Sequence, residues 1–563
     1  MSKASQRLAA LKQLYRSATP APTTRLARRE ELLLPMADGV ELRTVFFFPA
    51  KREQAPIVLQ RCCYPGMAQE LEIHGEEYAK RGFIFVLQWC RGTGGSQGEW
   101  EPNVNERADG LTTLHYLAAQ PYTDGIGYWG NSYLALTGWC MADALPPQVK
   151  SMYLGVYGTD RHTSAYQDGL FRQDILTAWA QENAGVPIAS NMMDSYRYRP
   201  QLHVDEALWG VSLPWYRDWI SHTDRSDPYW SQGFWKMLKD IPGKVNIPVF
   251  IREGWYDHHL GSALVTYQDL SPQAKAHSIL QIGPWNHGYG LALTHHKAER
   301  LADDSVQSPL VWFEETLLQK RLPQKAVQLY AIGADRWETW PDFPVRARQI
   351  QHFYLDAGAT QDGAHALLPL PPGAQAQASY VYDPEDPVLS HGAESLFHTR
   401  EEIGSLPQPA CGYRADVGSF LSAPTAQAFE INGKLNARLF VASSAEDTAF
   451  TAKVMEVFAD GTTVNIRGGI TTLAYRNGAS QRGSYAPGTV VEVNITLWDI
   501  AWLVQPGSRI RLDIASSDFP QYAVHSNYPG VWACQARTRP ATQRIFTGGA
   551  YPSVLEIPCA TPD

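Results

Sequence analysis

The sequence is poor in cysteine and has neither a long apolar run nor a secretory signal. It contains no Cys-x-x-Cys pair. This pattern indicates reduced thiols in a cytoplasmic protein rather than a disulfide framework. No apolar run approaches the ~18 residues that a transmembrane helix needs. Residues 1–30 lack the apolar core of a secretory signal. We therefore expect a cytoplasmic protein with no membrane partner. The seven cysteines are scattered along the chain: Cys62, Cys63, Cys90, Cys140, Cys411, Cys534 and Cys559.

The charge balance is also unremarkable. Lys and Arg number 48 against 57 Asp and Glu, which gives a net charge of −9 that is spread along the chain. This distribution gives no indication of a nucleic-acid partner. A length of 563 residues exceeds the ~250–300 at which a single core stops growing, so two or three domains are expected. The oligomeric state is left open, with a homodimer as one option.

Short apolar runs alternate with helical patterns in two parts of the chain. Residues 56–60 and 83–87 are typical of fully buried strands, as are residues 247–251 and 277–282. Between the second and third strands, leucines recur on one helical face over residues 111–118. Alternation of strand and helix predicts a largely parallel sheet and places the chain in the α/β class.

The rest of the chain has two other textures. Between residues 149 and 240 the strand rhythm disappears and Trp and Tyr become dense, which predicts a helical cap over the sheet. After residue 345, alternating patterns such as 491–497 and an Asp-Gly turn at 460–461 predict an antiparallel β-sandwich. We therefore predict an α/β domain made of residues 1–148, with a short N-terminal extension, and 241–344, a cap of residues 149–240, and a β-sandwich of residues 345–563. Leucines at 8, 11 and 14 predict a short amphipathic helix in the extension.

A strand runs into a Gly-Asn-Ser turn at Ser132, and a helix-compatible segment follows at once. Such an elbow exposes its central side chain above the sheet edge and needs small neighbours, here Gly130 and Ala135. The amide of Tyr133 then points from the helix N-terminus toward an oxyanion. Ser132 is thus a candidate nucleophile, although an ordinary turn serine gives the same local pattern.

Two partners for Ser132 follow in the order Asp, His. Asp257 comes just after one buried strand and His287 just after the next. Catalytic groups in open parallel sheets gather at the carboxyl ends of strands, so the three side chains are expected to meet there. In such a triad His287 is the general base, and Asp257 orients it and stabilises the imidazolium.

Other motifs carry less chemistry. Adjacent histidines, such as His258 and His259, point in different directions, so a shared metal ion is a minor alternative. The glycine-rich stretch 91–98 lacks the Gly-Lys-Ser/Thr ending of a phosphate loop and is better explained as a tight turn. We assign no metal and no cofactor, because a serine, an imidazole and oxyanion donors suffice for acyl transfer.

Several motifs extend in fixed order over most of the chain. From about residue 31 onward it resembles the cocaine esterase-like (CocE/NonD) serine hydrolases, relatives of Xaa-Pro dipeptidyl-peptidases and α-amino acid ester hydrolases. The resemblance implies an α/β-hydrolase domain, an inserted helical cap and a C-terminal jelly roll. The matching motifs are RGTGGSQG (91–98), GNSYL (130–134), GWYD (254–257), GPWNH (283–287), VYDPEDPV (381–388), FTAKVMEVF (450–458) and SSDFP (516–520).

The resemblance also implies a second oxyanion donor, a tyrosine hydroxyl after the first buried strand. Tyr64 occupies this position and would act with the Tyr133 amide. The family usually has a proline just before this tyrosine, where this chain has Cys63. A packing residue at the end of a strand is the alternative for Tyr64.

Departures from the family narrow the substrate. The α-amino acid ester hydrolases hold an ammonium with carboxylates that include acids directly after the triad aspartate, whereas this chain has His258 and His259 there. Thr163 and Ser164 stand where a cap carboxylate is expected. A buried ammonium needs a compensating anion, so an ester without a free amine is favoured. We assign the substrate pocket to Tyr166, Trp179 and His259.

Two alternatives stay open. The first is an Xaa-Pro-type dipeptidyl-peptidase or amidase with the same triad, in which Asp168, Asp174 or Glu182 holds the amine of a short peptide. The second is a non-catalytic protein whose β-sandwich binds a glycan. A small-molecule ester remains the preferred partner.

Overall fold

The computed structural model describes residues 3–17, 19–50, 54–302, 308–392, 394 and 402–560. The first twelve strands are β1 (Leu26–Pro35), β2 (Glu41–Pro49), β3 (Ala55–Cys62), β4 (Ile84–Trp89), β5 (Thr123–Asn131), β6 (Val149–Gly155), β7 (Tyr166–Gln167), β8 (Leu170–Phe171), β9 (Val249–Tyr256), β10 (Ile279–Asn286), β11 (Ala326–Ala331) and β12 (Arg336–Trp340). Strands β7 and β8 form a small separate ribbon. The other ten form one sheet in the order β1-β2-β4-β3-β5-β6-β9-β10-β11-β12.

The centre of this sheet is parallel. Seven neighbouring strands, from β4 through β3 to β11, run in one direction, and antiparallel strands flank them on both edges. Every residue of β3 and β4 is buried, as expected when helices cover both faces of a parallel sheet. The predicted α/β class is confirmed. The carboxyl ends of β5, β9 and β10 consequently lie along one edge.

Helices alternate with the strands of this sheet and fill much of the segment between β6 and β9. They are α1 (Lys3–Ser17), α2 (Ala68–Ala79), α3 (Glu106–Ala118), α4 (Tyr133–Trp139), α5 (Arg161–Ala165), α6 (Gln173–Glu182), α7 (Met192–Arg197), α8 (Val204–Ala207), α9 (Pro214–Ser221), α10 (Pro228–Ser231), α11 (Gly233–Asp240), α12 (Leu260–Asp269), α13 (Pro272–Lys275) and α14 (Pro309–Phe313). The predicted N-terminal helix is α1. Within the described residues, no helix is both long and apolar enough to cross a membrane.

The segment between β6 and β9 is mostly helical, from α5 to α11. It begins later than the sequence predicts, because residues 149–155 form β6 and pair with β5 and β9 in the sheet. Only Lys150 of this strand is exposed, and the rest of it is buried. The apolar run of this strand is short and is followed at once by the aromatic-rich stretch, so the sequence pattern does not separate the strand from the cap.

The C-terminal part is all β, as predicted. Its strands are β13 (Gln349–Gln361), β14 (Ala364–Leu368), β15 (Ala376–Tyr382), β16 (Gly418–Ser422), β17 (Phe429–Ser443), β18 (Ala449–Val457), β19 (Thr463–Thr472), β20 (Val491–Val504), β21 (Arg509–Ala515), β22 (Ala541–Thr547) and β23 (Val554–Cys559). The predicted hairpin at the Asp-Gly turn joins β18 to β19. At the start of β20, the buried residues Val493, Ile495 and Leu497 alternate with less buried neighbours. This is the pattern expected for a strand of a β-sandwich.

The all-β part supports the elements that carry the candidate site. After β21, the carbonyls of Pro520 and Gln521 accept hydrogen bonds from the Asp174 and Gln173 amides at the start of α6, at 2.9 and 3.0 Å. Arg467 of β19, which is buried, donates from Nη1 to the carbonyl of Trp255 in β9 at 2.5 Å. These contacts fix α6 and the end of β9 relative to each other.

Candidate active site

Ser132 lies at a sharp turn between β5 and α4. Its φ of 56° and ψ of −129° are values that L-residues adopt rarely and that a strand-to-helix elbow requires. The Ser132 amide donates to the Gly155 carbonyl of β6 at 2.9 Å, which holds the turn against the next strand. A Cβ at Gly130 would lie 2.0 Å from the Leu134 carbonyl oxygen, so only glycine fits there. The predicted elbow is therefore formed.

Asp257 and His287 lie beside Ser132, at the ends of β9 and β10. His287 Nε2 is 2.9 Å from Ser132 Oγ, and His287 Nδ1 is 2.6 Å from Asp257 Oδ2. Asp257 is fully buried, whereas the His287 side chain is 24% exposed. A proton on Nδ1 facing the carboxylate leaves Nε2 as an acceptor for the serine hydroxyl. The structure thus brings the three predicted residues into one hydrogen-bonded chain.

The second Asp257 oxygen is also engaged. Oδ1 accepts the backbone N–H of His259 at 2.6 Å. This bond fixes the plane of the carboxylate independently of the histidine that it faces. Two hydrogen bonds to the charged form of a buried carboxylate stabilise that form.

The two predicted oxyanion donors lie close to the elbow. The Tyr133 N–H is the first amide of α4, where N–H groups have no acceptor within the helix. Tyr64 is half-buried just after β3, and its hydroxyl accepts a hydrogen bond from Trp179 Nε1 at 3.0 Å. Burial raises the pKa of Tyr64 well above its usual range, so its hydroxyl keeps the proton at neutral pH.

A cavity of ≈ 440 Å³, which includes the part that opens to solvent, adjoins Ser132. Trp179 and His259 line it as predicted. Tyr166, the third residue assigned to the substrate pocket, does not line this cavity: its hydroxyl donates to the Trp219 carbonyl, and the residue borders a different pocket. Tyr166 lies in the short ribbon of β7 and β8. The lining residues are Asn103, Ser132, Tyr133, Tyr157, Arg161, Ile175, Leu176, Trp179, Trp219, His258, His259 and His287.

Several of these residues were not predicted. Asn103 has a φ of 73°, and its amide donates to the Tyr133 hydroxyl at 2.8 Å, while that hydroxyl donates to Glu106 at 3.0 Å. The Tyr133 ring is thereby fixed beside the elbow. Asn is one of the residue types that adopt a positive φ most readily after glycine. This preference is the one sequence signal that could have indicated the turn at Asn103. Arg161 gave no sequence signal at all.

The two histidines after Asp257 are buried. Burial, followed by the charge of nearby cationic groups, lowers the pKa of His258 and His259 well below the usual value, so both are neutral at pH 7. His259 Nδ1 lies 2.8 Å from Ser164 Oγ. Asp257, His258 and His287 each offer an atom that could bind a metal ion, and these three atoms lie within 4.8 Å of one another. Asp257 and His287 are already hydrogen-bonded to each other.

The fold and this hydrogen-bonded chain define a serine hydrolase of the α/β-hydrolase class. Two family models match the chain: X-Pro dipeptidyl-peptidase (S15 family) over residues 38–289, and X-Pro dipeptidyl-peptidase C-terminal non-catalytic domain over residues 319–556. Cocaine esterase from Rhodococcus sp. (strain MB1 Bresler) is 28% identical over 94% of this chain and 97% of its own length. Over most of its length the chain is thus similar to S15-type X-Pro dipeptidyl-peptidases and to cocaine esterase, and these relatives indicate a serine hydrolase that acts on esters.

Solved structures show the same fold. An aminopeptidase from a marine sediment Thaumarchaeota archaeon superposes with a TM-score of 0.80 at 22% identity, and an α-amino acid ester hydrolase with 0.78 at 21%. Each alignment covers 96% of this chain and 98% of the other. A CocE/NonD family hydrolase from Staphylococcus aureus gives 0.65 at 17% identity, over 95% and 93% of the two chains. At these identities the likeness concerns the fold alone.

Proposed function

We propose that this protein hydrolyses carboxylic esters through an acyl-enzyme, with Ser132 as nucleophile, His287 as general base and Asp257 as the group that orients the base. The observation that carries this proposal is the position of His287, which bridges the other two side chains at 2.9 and 2.6 Å. These distances lie within the range in which a base can take a proton directly.

In the first half of the reaction, the Ser132 hydroxyl attacks the ester carbonyl and its proton passes to His287 Nε2. The imidazolium that forms is stabilised by the buried Asp257 carboxylate. His287 then gives the proton to the leaving alkoxide, and the alcohol departs. The acyl group stays on Ser132 Oγ as an ester.

In the second half, the steps run in reverse, with water in the place of the alcohol. His287 takes a proton from the water, which attacks the acyl carbonyl. The bond from the acyl carbon to Ser132 Oγ then breaks, His287 returns the proton to the serine oxygen, and the acid departs. In both halves the developing oxyanion would accept hydrogen bonds from the Tyr133 amide and the Tyr64 hydroxyl. A neutral Tyr64 suits this role, because only the protonated hydroxyl donates.

Replacement of the nucleophile tests the proposal. Ser132→Ala is expected to abolish ester turnover, labelling by a fluorophosphonate probe, and any burst of p-nitrophenol from p-nitrophenyl esters. Ser231→Ala, at an exposed serine of α10, is the matched control and should leave all three unchanged. Undiminished turnover by Ser132→Ala, in protein shown to be free of wild type, would refute the assignment.

A peptidase or amidase with the same triad is the second candidate, and the match to two X-Pro dipeptidyl-peptidase family models favours it. The acids predicted to hold an amine do not support it. Asp168 borders a separate pocket, Glu182 is exposed, and Asp174 is absent from the described lining of the cavity beside Ser132. A panel of p-nitrophenyl esters and dipeptide p-nitroanilides separates the two. A preference for the amides by orders of magnitude would reverse this ranking.

We also propose a cytoplasmic location. All seven cysteines are free thiols, and four of them are buried. Cysteines that remain unpaired are typical of proteins in a reducing compartment such as the cytoplasm. Fractionation of the producing cell tests the proposal, and enzyme found with secreted or periplasmic protein would contradict it.

A further inference from the structure

The cavity beside Ser132 contains a buried cation without an anionic partner. Arg161 is the first residue of α5, and only 7% of its surface is exposed. Within the described part of the chain, no group accepts a hydrogen bond from Arg161 or forms an ion pair with it, and its Nε is buried without a partner. An arginine is charged at all working pH values. Burial of an unpaired charge is costly, so an anion that enters the cavity would be stabilised by this cation.

Aromatic rings hold the guanidinium in place. Arg161 Cζ lies 4.6 Å from the centre of the Trp219 ring and 5.9 Å from that of Trp235. Stacking of this kind stabilises a cation and leaves the guanidinium N–H groups available to an acceptor. Trp219 lines the same cavity as Ser132, so the cation and the candidate nucleophile border a single space.

The nearest acid in sequence is already neutralised. Asp160 pairs with Arg225 at 2.8 Å and with Lys239 at 3.2 Å, in a second pocket that Arg161 also borders. No aspartate or glutamate belongs to the described lining of the inner cavity. His258 and His259 are neutral, and His287 faces Asp257, so Arg161 is the cation of that lining that no carboxylate faces.

We propose that the substrate is an ester that carries a carboxylate, and that Arg161 binds this carboxylate while Ser132 attacks the ester carbonyl. This inference rests on the proposed function and assigns its substrate class. The planar guanidinium can bind both oxygens of a carboxylate, which fixes the orientation of the substrate as well as its charge. The site would thus have the opposite charge preference to one that holds an ammonium.

Matched esters test this proposal. Hydrolysis of monoethyl adipate and ethyl hexanoate, followed in a pH-stat, compares an anionic with a neutral acyl group; 4-acetoxybutyrate and butyl acetate make the same comparison in the alcohol. We expect wild-type enzyme to prefer the anionic member of at least one pair in kcat/KM. The pair that shows the preference identifies the part of the substrate that faces Arg161. A preference for the neutral member in both pairs would overturn the inference.

Variants of Arg161 locate the effect. Arg161→Gln is expected to lower kcat/KM for the anionic ester by about 10- to 100-fold, as for loss of a hydrogen bond to a charged group, and to change the neutral ester by less than about 3-fold. Arg161→Lys keeps the charge and should retain part of the preference. Arg544→Gln, at an exposed arginine of β22, is the matched control, because it removes a cation that does not line the inner cavity. An equal loss for both esters in Arg161→Gln would show a structural role and refute the proposal.

A binding measurement does not depend on any variant that folds poorly. Adipate should inhibit wild-type hydrolysis of ethyl hexanoate competitively, whereas 1,6-hexanediol should inhibit at least 10-fold more weakly. Equal inhibition by the two would contradict the inference. Failure of the proposed function looks different, since it would leave ester turnover unaffected in Ser132→Ala.

Discussion

The indole N–H of Trp179 donates a hydrogen bond to the Tyr64 hydroxyl at 3.0 Å, across 115 positions of sequence. One residue lies on α6 of the helical segment and the other follows β3 of the sheet. Because the indole occupies an acceptor site of the hydroxyl oxygen, the tyrosine proton is directed elsewhere. The Trp179 ring also stacks on Tyr133, with ring centres 5.9 Å apart. A single tryptophan therefore contacts the side chains of both residues that supply the proposed oxyanion donors.

This contact predicts how Trp179 and Tyr64 act together. Tyr64→Phe should lower kcat by about 10²–10³-fold, the usual effect of losing one oxyanion donor. Trp179→Phe keeps an aromatic ring but loses the N–H, and should lower kcat by about 3- to 10-fold. In the Tyr64→Phe background, Trp179→Phe should change kcat little, because the group that it positions is gone.

Steady-state kinetics on one p-nitrophenyl ester measure these effects. Additive losses in the double variant would contradict the positioning role of Trp179. A change in KM alone for Tyr64→Phe would instead mean that the hydroxyl does not act in the transition state.

Asp257→Asn tests the orientation of the base. An amide at this position cannot stabilise the imidazolium and favours the wrong tautomer of His287, so kcat should fall by about 10⁴-fold with little change in KM. The rate of fluorophosphonate labelling should fall in parallel, because it depends on the same activated hydroxyl. The His259 amide can still donate to the asparagine oxygen, so thermal stability should change only slightly. A loss of kcat below 10-fold would contradict the role given to Asp257.

The sequence was most informative where chemistry follows directly from local structure. Ser132, Asp257 and His287 each come at the end of a buried strand, and parallel strands bring their ends to one edge whatever the details of packing. The order of the motifs and the apolar strand patterns were therefore enough to predict that the three side chains meet. The all-β part was predictable for a similar reason, since alternation with a period of two reports one buried face.

The cap was less predictable. Its short helices carry aromatic residues on several sides, and the choice of which ring lines the cavity depends on tertiary packing. Tyr166 was assigned to the cavity but borders a different pocket, whereas Trp219 and Arg161 line the cavity. A lone arginine in a sequence is indistinguishable from a surface arginine until its burial and its lack of a partner are known.

The elbow glycine predicts a steric effect on folding. In Gly130→Ala the new Cβ would lie 2.0 Å from the Leu134 carbonyl oxygen and 2.6 Å from the Ala135 nitrogen, both of them backbone atoms that cannot move without unwinding α4. We expect a loss of about 1–3 kcal/mol in the free energy of unfolding, or loss of soluble protein. Thermal unfolding measures this effect. Gly373→Ala is the control, because its Cβ meets nothing within 4 Å, and an equal melting temperature for the two variants would contradict the steric argument.

His74 predicts a pH dependence of stability. Its Nδ1 lies 2.6 Å from the Tyr15 hydroxyl, which ties α1 to α2, and burial, together with the charge of Arg7, lowers its pKa from 6.5 to about 3. Between pH 6.5 and 3 the unfolded chain therefore binds a proton at this histidine that the folded chain does not. The stabilisation is complete above pH 6.5 and is lost as the pH falls toward 3, by about 1.4 kcal/mol per pH unit.

His74→Gln removes this proton uptake while keeping a side chain that can hydrogen-bond to Tyr15. The variant should be less stable than wild type at pH 7.5, because a buried ring that packs 4.7 Å from Trp129 is lost. The difference in melting temperature should then shrink between pH 6.5 and 5, since only wild type loses the contribution of this group. His352→Gln, at an exposed histidine of β13, serves as the matched replacement. A difference between wild type and His74→Gln that stays constant over this range would mean that His74 takes up its proton equally in the folded and unfolded chains.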